Sequence, residues 1–490
     1  MLFNSVEYLL FFILVYIVYW QSPHRYRHLI LLLASLVFYS SWSLLFLAHF
    51  LAIILLNYPL LVWIYRKKSA AALSLALVLN IINLSFFKYF YFFTDNIALL
   101  LDSDSASLLT NTVQNEWPPI ILPLAISFYT FQIIALHVDA WRKQLETEPP
   151  LLDFTLFIMF FPQLIAGPIM RHNELFPQLH SHKSVQENDV PRALALIASG
   201  IIKKVLMADY LSETVYQIYA APATWQAWIL VLAAWFFALM VYLDFSAYTD
   251  LARGSALLLG FDIPVNFRGP FFQISFADHW QRWHLTLSQW LRDYVYFTMG
   301  GSRNGAFRLY VGLVLTFFIG GLWHGAGWGF VIWGLLNGLY LAIERFVYVS
   351  GIVPRVASWA RRDAESLQHY QYRSVYNVLK AFLLFNMIAF AGVFFYAGID
   401  LSRAELILTS MLGNWGPEFR LFALTGHHGI VVLVFLGLHY LEYRDYQPLQ
   451  KWRQKIQDSW PLWYLLAAVA LFGLLAVYAR GDQPFVYFQF

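Results

Sequence analysis

His324 stands at the end of an apolar run, inside Gly320-Gly321-Leu322-Trp323-His324-Gly325-Ala326. A neutral imidazole, with an ordinary pKa of about 6.5, can take a proton near neutral pH, which is the work of a general base. An ionisable group inside a hydrophobic segment is costly to place, so it marks a functional site by default. The flanking glycines leave room for another backbone or a ligand to approach. The alternative is a histidine hydrogen-bonded for helix packing.

A second candidate, His284, lies in the segment Ile274 to Phe297, ISFADHWQRWHLTLSQWLRDYVYF. With Asp278, His279, Arg282, His284, Arg292 and Asp293, this segment is too polar to cross a bilayer. Trp280, Trp283, Leu287, Trp290 and Tyr294 recur at helical spacing and form one apolar stripe, and Asp278 and Arg282 make an i,i+4 pair. The expectation is an amphipathic helix at the cytoplasmic interface or tucked into the protein body, with aromatic anchors. Amphipathic shape leaves His284 unexplained, since it lies to the side of the stripe.

Other polar residues in apolar surroundings carry weaker signals. Asp244, in Tyr242-Leu243-Asp244-Phe245-Ser246, sits at the end of a span and either lines a funnel or caps the following turn. His137 and Asp139, beside Trp141 and Arg142, read as interface anchors. Lys203 and Lys204 are expected to snorkel to the surface. His172, His180 and His182 form a loop cluster without metal-ligand spacing, so no metal site is expected. The sequence contains no GxSxG, P-loop or HExxH motif. It contains no cysteine, which excludes disulfides, thiolate metal sites and a catalytic thiol. Any covalent acyl intermediate on this chain would therefore use oxygen or nitrogen.

The elements that must position these residues follow from composition. Of 490 residues, 60% are hydrophobic and only 12% are charged, against roughly 25% charged in soluble domains. The apolar excess falls in runs of about 20, the length a helix needs to cross a bilayer. Such runs cover roughly 6–20, 28–44, 45–65, 71–93, 120–141, 151–169, 190–211, 225–248, 309–323, 329–349, 375–397, 427–441 and 460–479. The fold class is all-α: a polytopic membrane protein with about 11–13 transmembrane or re-entrant helices. Residues 6–20 lack a basic leader and a small-residue cleavage site, so they read as a retained span. A net charge of +3, spread over short loops, gives no reason to expect nucleic acid. Lys and Arg place residues 253–308 on the cytoplasmic side, while the acidic stretch 94–119 lies outside. The last span, 460–479, then carries the C-terminus outward. The divisions are N-terminal membrane helices at 1–119, a catalytic core at 120–349, C-terminal membrane helices at 350–479 and an aromatic tail at 480–490.

Several stretches together resemble the membrane-bound O-acyltransferases, in particular the bacterial branch with the membrane subunits of alginate O-acetylation and teichoic-acid D-alanylation. They are Ile126-Ser127-Phe128-Tyr129-Thr130-Phe131-Gln132, Phe161-Pro162-Gln163-Leu164-Ile165-Ala166-Gly167-Pro168-Ile169 and Leu243-Asp244-Phe245-Ser246-Ala247-Tyr248-Thr249-Asp250. The densest runs from Trp280 to Tyr294 and is followed by Gly300-Gly301-Ser302-Arg303 and by Gly321 to Ala326. The resemblance implies two funnels meeting at a central acyl-transfer site, with His324 as the catalytic histidine and His284 as the second catalytic position. His324 would deprotonate the acceptor hydroxyl, and His284 would hydrogen-bond the thioester carbonyl or the acceptor. Trp323, Arg282 and Asp244 would line the donor path or a funnel. No bound cofactor is implied; the donor substrate is acetyl-CoA or another acyl thioester.

The resemblance also implies a bacterial inner-membrane location, contact with membrane lipid and a periplasmic SGNH-type acetyltransferase or polysaccharide-modification complex as partner. The C-terminal Phe485-Val486-Tyr487-Phe488-Gln489-Phe490 is similar to the aromatic end of a small partner in the teichoic-acid system. Tyr487 is thus a candidate acyl relay, with an aromatic interface belt as the alternative. Alginate-type enzymes often have Arg-Arg-Trp-His where this chain has Gln281-Arg282-Trp283-His284, which leaves the substrate open. D-alanyl transfer, a lipid-linked sugar transporter or flippase, and a scaffold in an export complex are the competing functions. No internal repeat supports the transporter.

Overall fold

Long apolar runs capped by small polar residues set the helices of this protein. In the computed structural model Ser5, Ser43 and Ser69 each accept a backbone N–H in the first turn of the helix they precede. The structure describes residues 1, 3, 5–101, 105–107, 109, 112, 120–184, 190–301, 305–350, 375–413, 415–416 and 426–444. The 17 α-helices among these residues are α1 Val6–Gln21, α2 His24–Ser40, α3 Leu44–Lys67, α4 Ala70–Ala98, α5 Ile126–Trp141, α6 Leu151–Met159, α7 His172–His180, α8 Val190–Ile201 and α9 Asp209–Ala220. They continue with α10 Ala227–Leu258, α11 Phe276–Trp280, α12 Leu285–Leu291, α13 Ala306–His324, α14 Trp328–Val349, α15 Val375–Ala397, α16 Leu401–Met411 and α17 Gly426–Tyr443. Six of them, α3, α4, α10, α13, α14 and α15, are long and apolar enough to cross a membrane, and α1 is a shorter apolar helix. The protein is all-α and membrane-embedded.

Two apolar runs do not form single spans. The run 151–169 is helical only through Met159, and 190–211 is α8 followed by a π-helical segment, Ile202–Ala208, and the start of α9. Tyr487 and the whole of 445–490 lie outside the described residues.

The chain divides into two compact units, 1–193 with 252–264 and 194–251 with 265–490. In the first unit, the Asn57 and Asn80 side chains bond each other at 2.7 Å and tie α3 to α4. The His172 ring meets Asp139 at 3.1 Å and the His180 ring meets Asp153 at 2.7 Å, so these histidines fasten α7 to α5 and α6. Asp139 and His137 are both buried in the protein.

In the second unit, α13 and α14 form a tight antiparallel hairpin. A Cβ on Gly321 would come within 2.3 Å of the Phe330 carbonyl oxygen, and one on Gly334 within 2.3 Å of that of Phe317. Small residues here let two membrane helices touch through their backbones. Lys203 and Lys204 do not snorkel. Lys203 pairs with Asp250 at 3.0 Å and Glu442 at 2.6 Å, and Lys204 with Asp209 and Asp244 at 2.8 Å each. The reason is partner supply: α9, α10 and α17 bring four carboxylates within reach, so the ammonium groups need no water. Asp244 accordingly sits inside a continuous α10 rather than at a helix end.

Breaking that pair from one side should be costly. Lys204→Met leaves Asp244 buried without its cation and is expected to lower unfolding stability by about 3–5 kcal/mol. Adding Asp244→Leu should recover more than half of the loss, measured by thermal unfolding in detergent.

Candidate active site

The stretch that periodicity reads as one helix is broken at its histidine. Helix α11 ends at Trp280, α12 begins at Leu285, and His284 between them adopts the left-handed conformation at φ 43°. For a residue with a Cβ this geometry costs about 1–3 kcal/mol and persists only where neighbours enforce it. Residues 266–268 do so. The Leu285 N–H donates to the Asn266 carbonyl at 3.0 Å, and the Arg268 N–H to the Arg282 carbonyl at 3.1 Å. The Asn266 side-chain oxygen accepts from the Thr286 N–H and hydroxyl at 3.3 and 2.7 Å, supplying the cap that His284 does not. At the other end, Glu344 of α14 accepts the Phe276 and Ala277 N–H groups at 3.0 and 3.1 Å, fixing the start of α11.

This bracket turns the His284 ring inward. It packs edge-on against Phe245 at 4.7 Å and against Trp323 at 5.7 Å, and no residue described here bonds either ring nitrogen. His324, the last residue of α13, contacts Trp323, Trp333 and Phe395 with ring centroids 4.9–5.0 Å away. Gly325 follows because a Cβ there would strike the Phe330 ring at 2.1 Å.

Both histidines line one cavity. Its walls are largely aromatic, with Phe237, Phe245, Phe271, Trp280, Trp283, Trp333 and Phe395 among them. His279 and Asn337 also face it, and the sequence argument gave neither a role. Asn337 was legible only as an isolated amide in an apolar run. Desolvation pushes the His284 imidazole down to about 3 and that of His279 to about 4. Both lie outside the six spanning helices, and both rings are neutral at physiological pH.

The other expected site residues are placed differently. Trp323 is buried between the two histidine rings without lining the cavity. Arg282 donates to the Arg268 carbonyl at 2.9 Å and lies over the Tyr443 ring, so it braces the bracket instead of pairing with Asp278. Asp244 is engaged by Lys204 and is not part of the cavity wall.

The sequence profile of the membrane-bound O-acyltransferase family matches residues 61–364, well over half of the chain. The chain belongs to the membrane-bound O-acyltransferase family. Among its relatives is a Pseudomonas aeruginosa protein named "Probable alginate O-acetylase AlgI", 35% identical over 468 residues, which span 92% of this chain and 83% of that one. The peptidoglycan O-acetyltransferase of Helicobacter pylori is 33% identical over 444 residues, 84% of this chain and 78% of its own. The more distant teichoic acid D-alanyltransferase of Bacillus subtilis is 30% identical over 246 residues, 48% and 62% of the two chains. This O-acyltransferase is therefore an enzyme, which sets aside the transporter and scaffold alternatives.

The bracket makes a testable demand. Asn266→Ala removes the cap on α12 and is expected to cost about 1 kcal/mol of stability. Because His284 loses its enforced geometry, acyl transfer should fall at least tenfold; thermal unfolding and turnover in the same detergent preparation check both.

Proposed function

We propose that this O-acyltransferase resides in a bacterial inner membrane and moves an acetyl group from acetyl-CoA on the cytoplasmic side toward a polysaccharide outside. The observation that carries this reading is the shared cavity, with His284 and His324 facing it from separate elements within an aromatic wall. In the proposed step His324 takes the proton of the acceptor hydroxyl as its oxygen attacks the thioester carbonyl. The carbon–sulfur bond then breaks, and the thiolate leaves with the proton that His324 returns. Neutral His284 donates an N–H to the carbonyl oxygen as negative charge builds there. A neutral imidazole suits this electrophilic task, and a preorganised donor in a dry site is worth roughly 10²–10³ in rate.

Acetyl is favoured over D-alanyl because the relatives named for O-acetyl transfer align over most of the chain, whereas the D-alanyltransferase aligns over less than half. The polysaccharide acceptor follows the alginate and peptidoglycan named for those relatives. In the proposal Tyr487 accepts the acetyl group as an ester and passes it to a periplasmic SGNH-type partner or polysaccharide-modification complex. The charge pattern that carries the C-terminus outward supports this step, and no bound cofactor is required.

His324→Ala should abolish acetyl transfer, by about 10³-fold or more, while the protein extracts normally from membranes. His284→Asn, which keeps an N–H donor, should retain more activity than His284→Ala. Since burial holds the His284 imidazole well below its ordinary range, it is uncharged throughout pH 5–8, and its removal should leave the shape of the kcat/KM profile over that range unchanged. An acidic limb that disappears with His284 would contradict the assignment. For the relay, mass spectrometry of the C-terminal peptide under trapping conditions should find acetyl on Tyr487, and an unmodified peptide would exclude it.

A further inference from the structure

Apart from the two histidines assigned to chemistry and the donor-only indoles of its tryptophans, the cavity is lined by two polar side chains whose hydrogen-bonding sense is fixed. The His279 Nδ1 lies 3.0 Å from the Pro270 carbonyl oxygen. A carbonyl only accepts, so Nδ1 carries the proton and Nε2 is left as an acceptor. The ring is clamped by stacking on Phe271 and Trp283, with centroids 5.9 and 5.7 Å away. Asn337 is fixed by the same logic. Its amide nitrogen donates to the Trp333 carbonyl at 2.8 Å, which settles the orientation and makes Oδ1 the acceptor.

Among the described residues no donor meets His279 Nε2 or Asn337 Oδ1, although both side chains are 98% shielded from solvent and line the cavity. Two acceptors without a donor, on residues that line one cavity, suit a ligand that brings donors. We propose that His279 Nε2 and Asn337 Oδ1 form an acceptor pair that receives N–H or O–H groups of a substrate held in the cavity. The pair rests on the acyltransferase reading and adds a specificity element to it. It takes no part in proton transfer. Two sources offer such donors: amide N–H groups on the carrier arm of the thioester, and hydroxyls of the acyl acceptor. A site built around acceptors rejects analogues that lack the donor.

His279→Phe keeps the aromatic stack and Asn337→Leu keeps the volume, while each removes one acceptor. In permeabilised cells that hold the full-length protein together with its periplasmic partners, acetyl-CoA is titrated at fixed alginate oligosaccharide, and the oligosaccharide at fixed acetyl-CoA. Both variants should raise KM for the same one substrate, by about 5- to 50-fold, and by more than they lower kcat. A rise for acetyl-CoA identifies the amide N–H groups, and a rise for the oligosaccharide identifies hydroxyls. Unmoved KM values for both substrates overturn the pair and leave the acyltransferase reading standing. No transfer by the wild-type protein sinks that reading and the pair with it. If a variant does not fold, the wild-type protein is assayed with an acetyl thioester N-methylated on its arm amides and with a deoxygenated oligosaccharide. One of the two should lose at least fivefold in kcat/KM, and full activity with both overturns the pair.

Discussion

An imidazole enclosed by protein, with neither nitrogen bonded among the described residues, is the constraint around which the second unit is arranged. Each unmet buried nitrogen costs about 1–3 kcal/mol, and the left-handed backbone at His284 adds about as much again. A fold tolerates such expense only where the surroundings over-determine the residue. Here the Asn266 cap, the Arg268–Arg282 backbone bond and the Glu344 clamp on α11 all converge on the same short turn. The strain lies beside the cavity, and the histidine it displays is the one whose neutral form suits stabilising a developing oxyanion.

The remainder of the unit keeps that turn and His324 in a common frame. Glycine contacts draw α13 and α14 together, which sets the height of His324 against Trp333. Phe395 of α15 closes the far side of the same ring. Farther out, Lys203 and Lys204 gather α9, α10 and α17 through buried ion pairs, and Tyr242 donates to Glu442 while its ring packs on Trp283. Charge pairing inside a membrane protein is expensive to assemble and more expensive to break, so this network fixes the elements behind the cavity wall.

The helical membrane class was legible because apolar runs of bilayer length need no tertiary information to be recognised. His324 stood out as an ionisable group amid hydrophobic sequence, and His284 as the residue that amphipathic shape left unexplained; both line the cavity. The break at His284 was not legible, because a histidine in the left-handed region leaves no mark in helical periodicity, and its enforcing partner Asn266 lies far enough upstream to look like loop. The inward turn of Lys203 and Lys204 depended on carboxylates up to Glu442, distant in sequence, and on a π-helical segment that composition does not announce. His279 was hidden among the polar residues just ahead of the aromatic stripe. Its tautomer became meaningful only once the Pro270 carbonyl was seen beside it.

In the proposed chemistry a thioester carbonyl sits between His284 and His324. A cryo-electron-microscopy structure of the protein in nanodiscs, with an acetyl-CoA analogue whose sulfur is replaced by methylene, tests it directly. The ketone oxygen is expected within hydrogen-bond distance of a His284 ring nitrogen and the carbonyl carbon next to His324. An analogue bound elsewhere, with the cavity still closed around both rings, would contradict it.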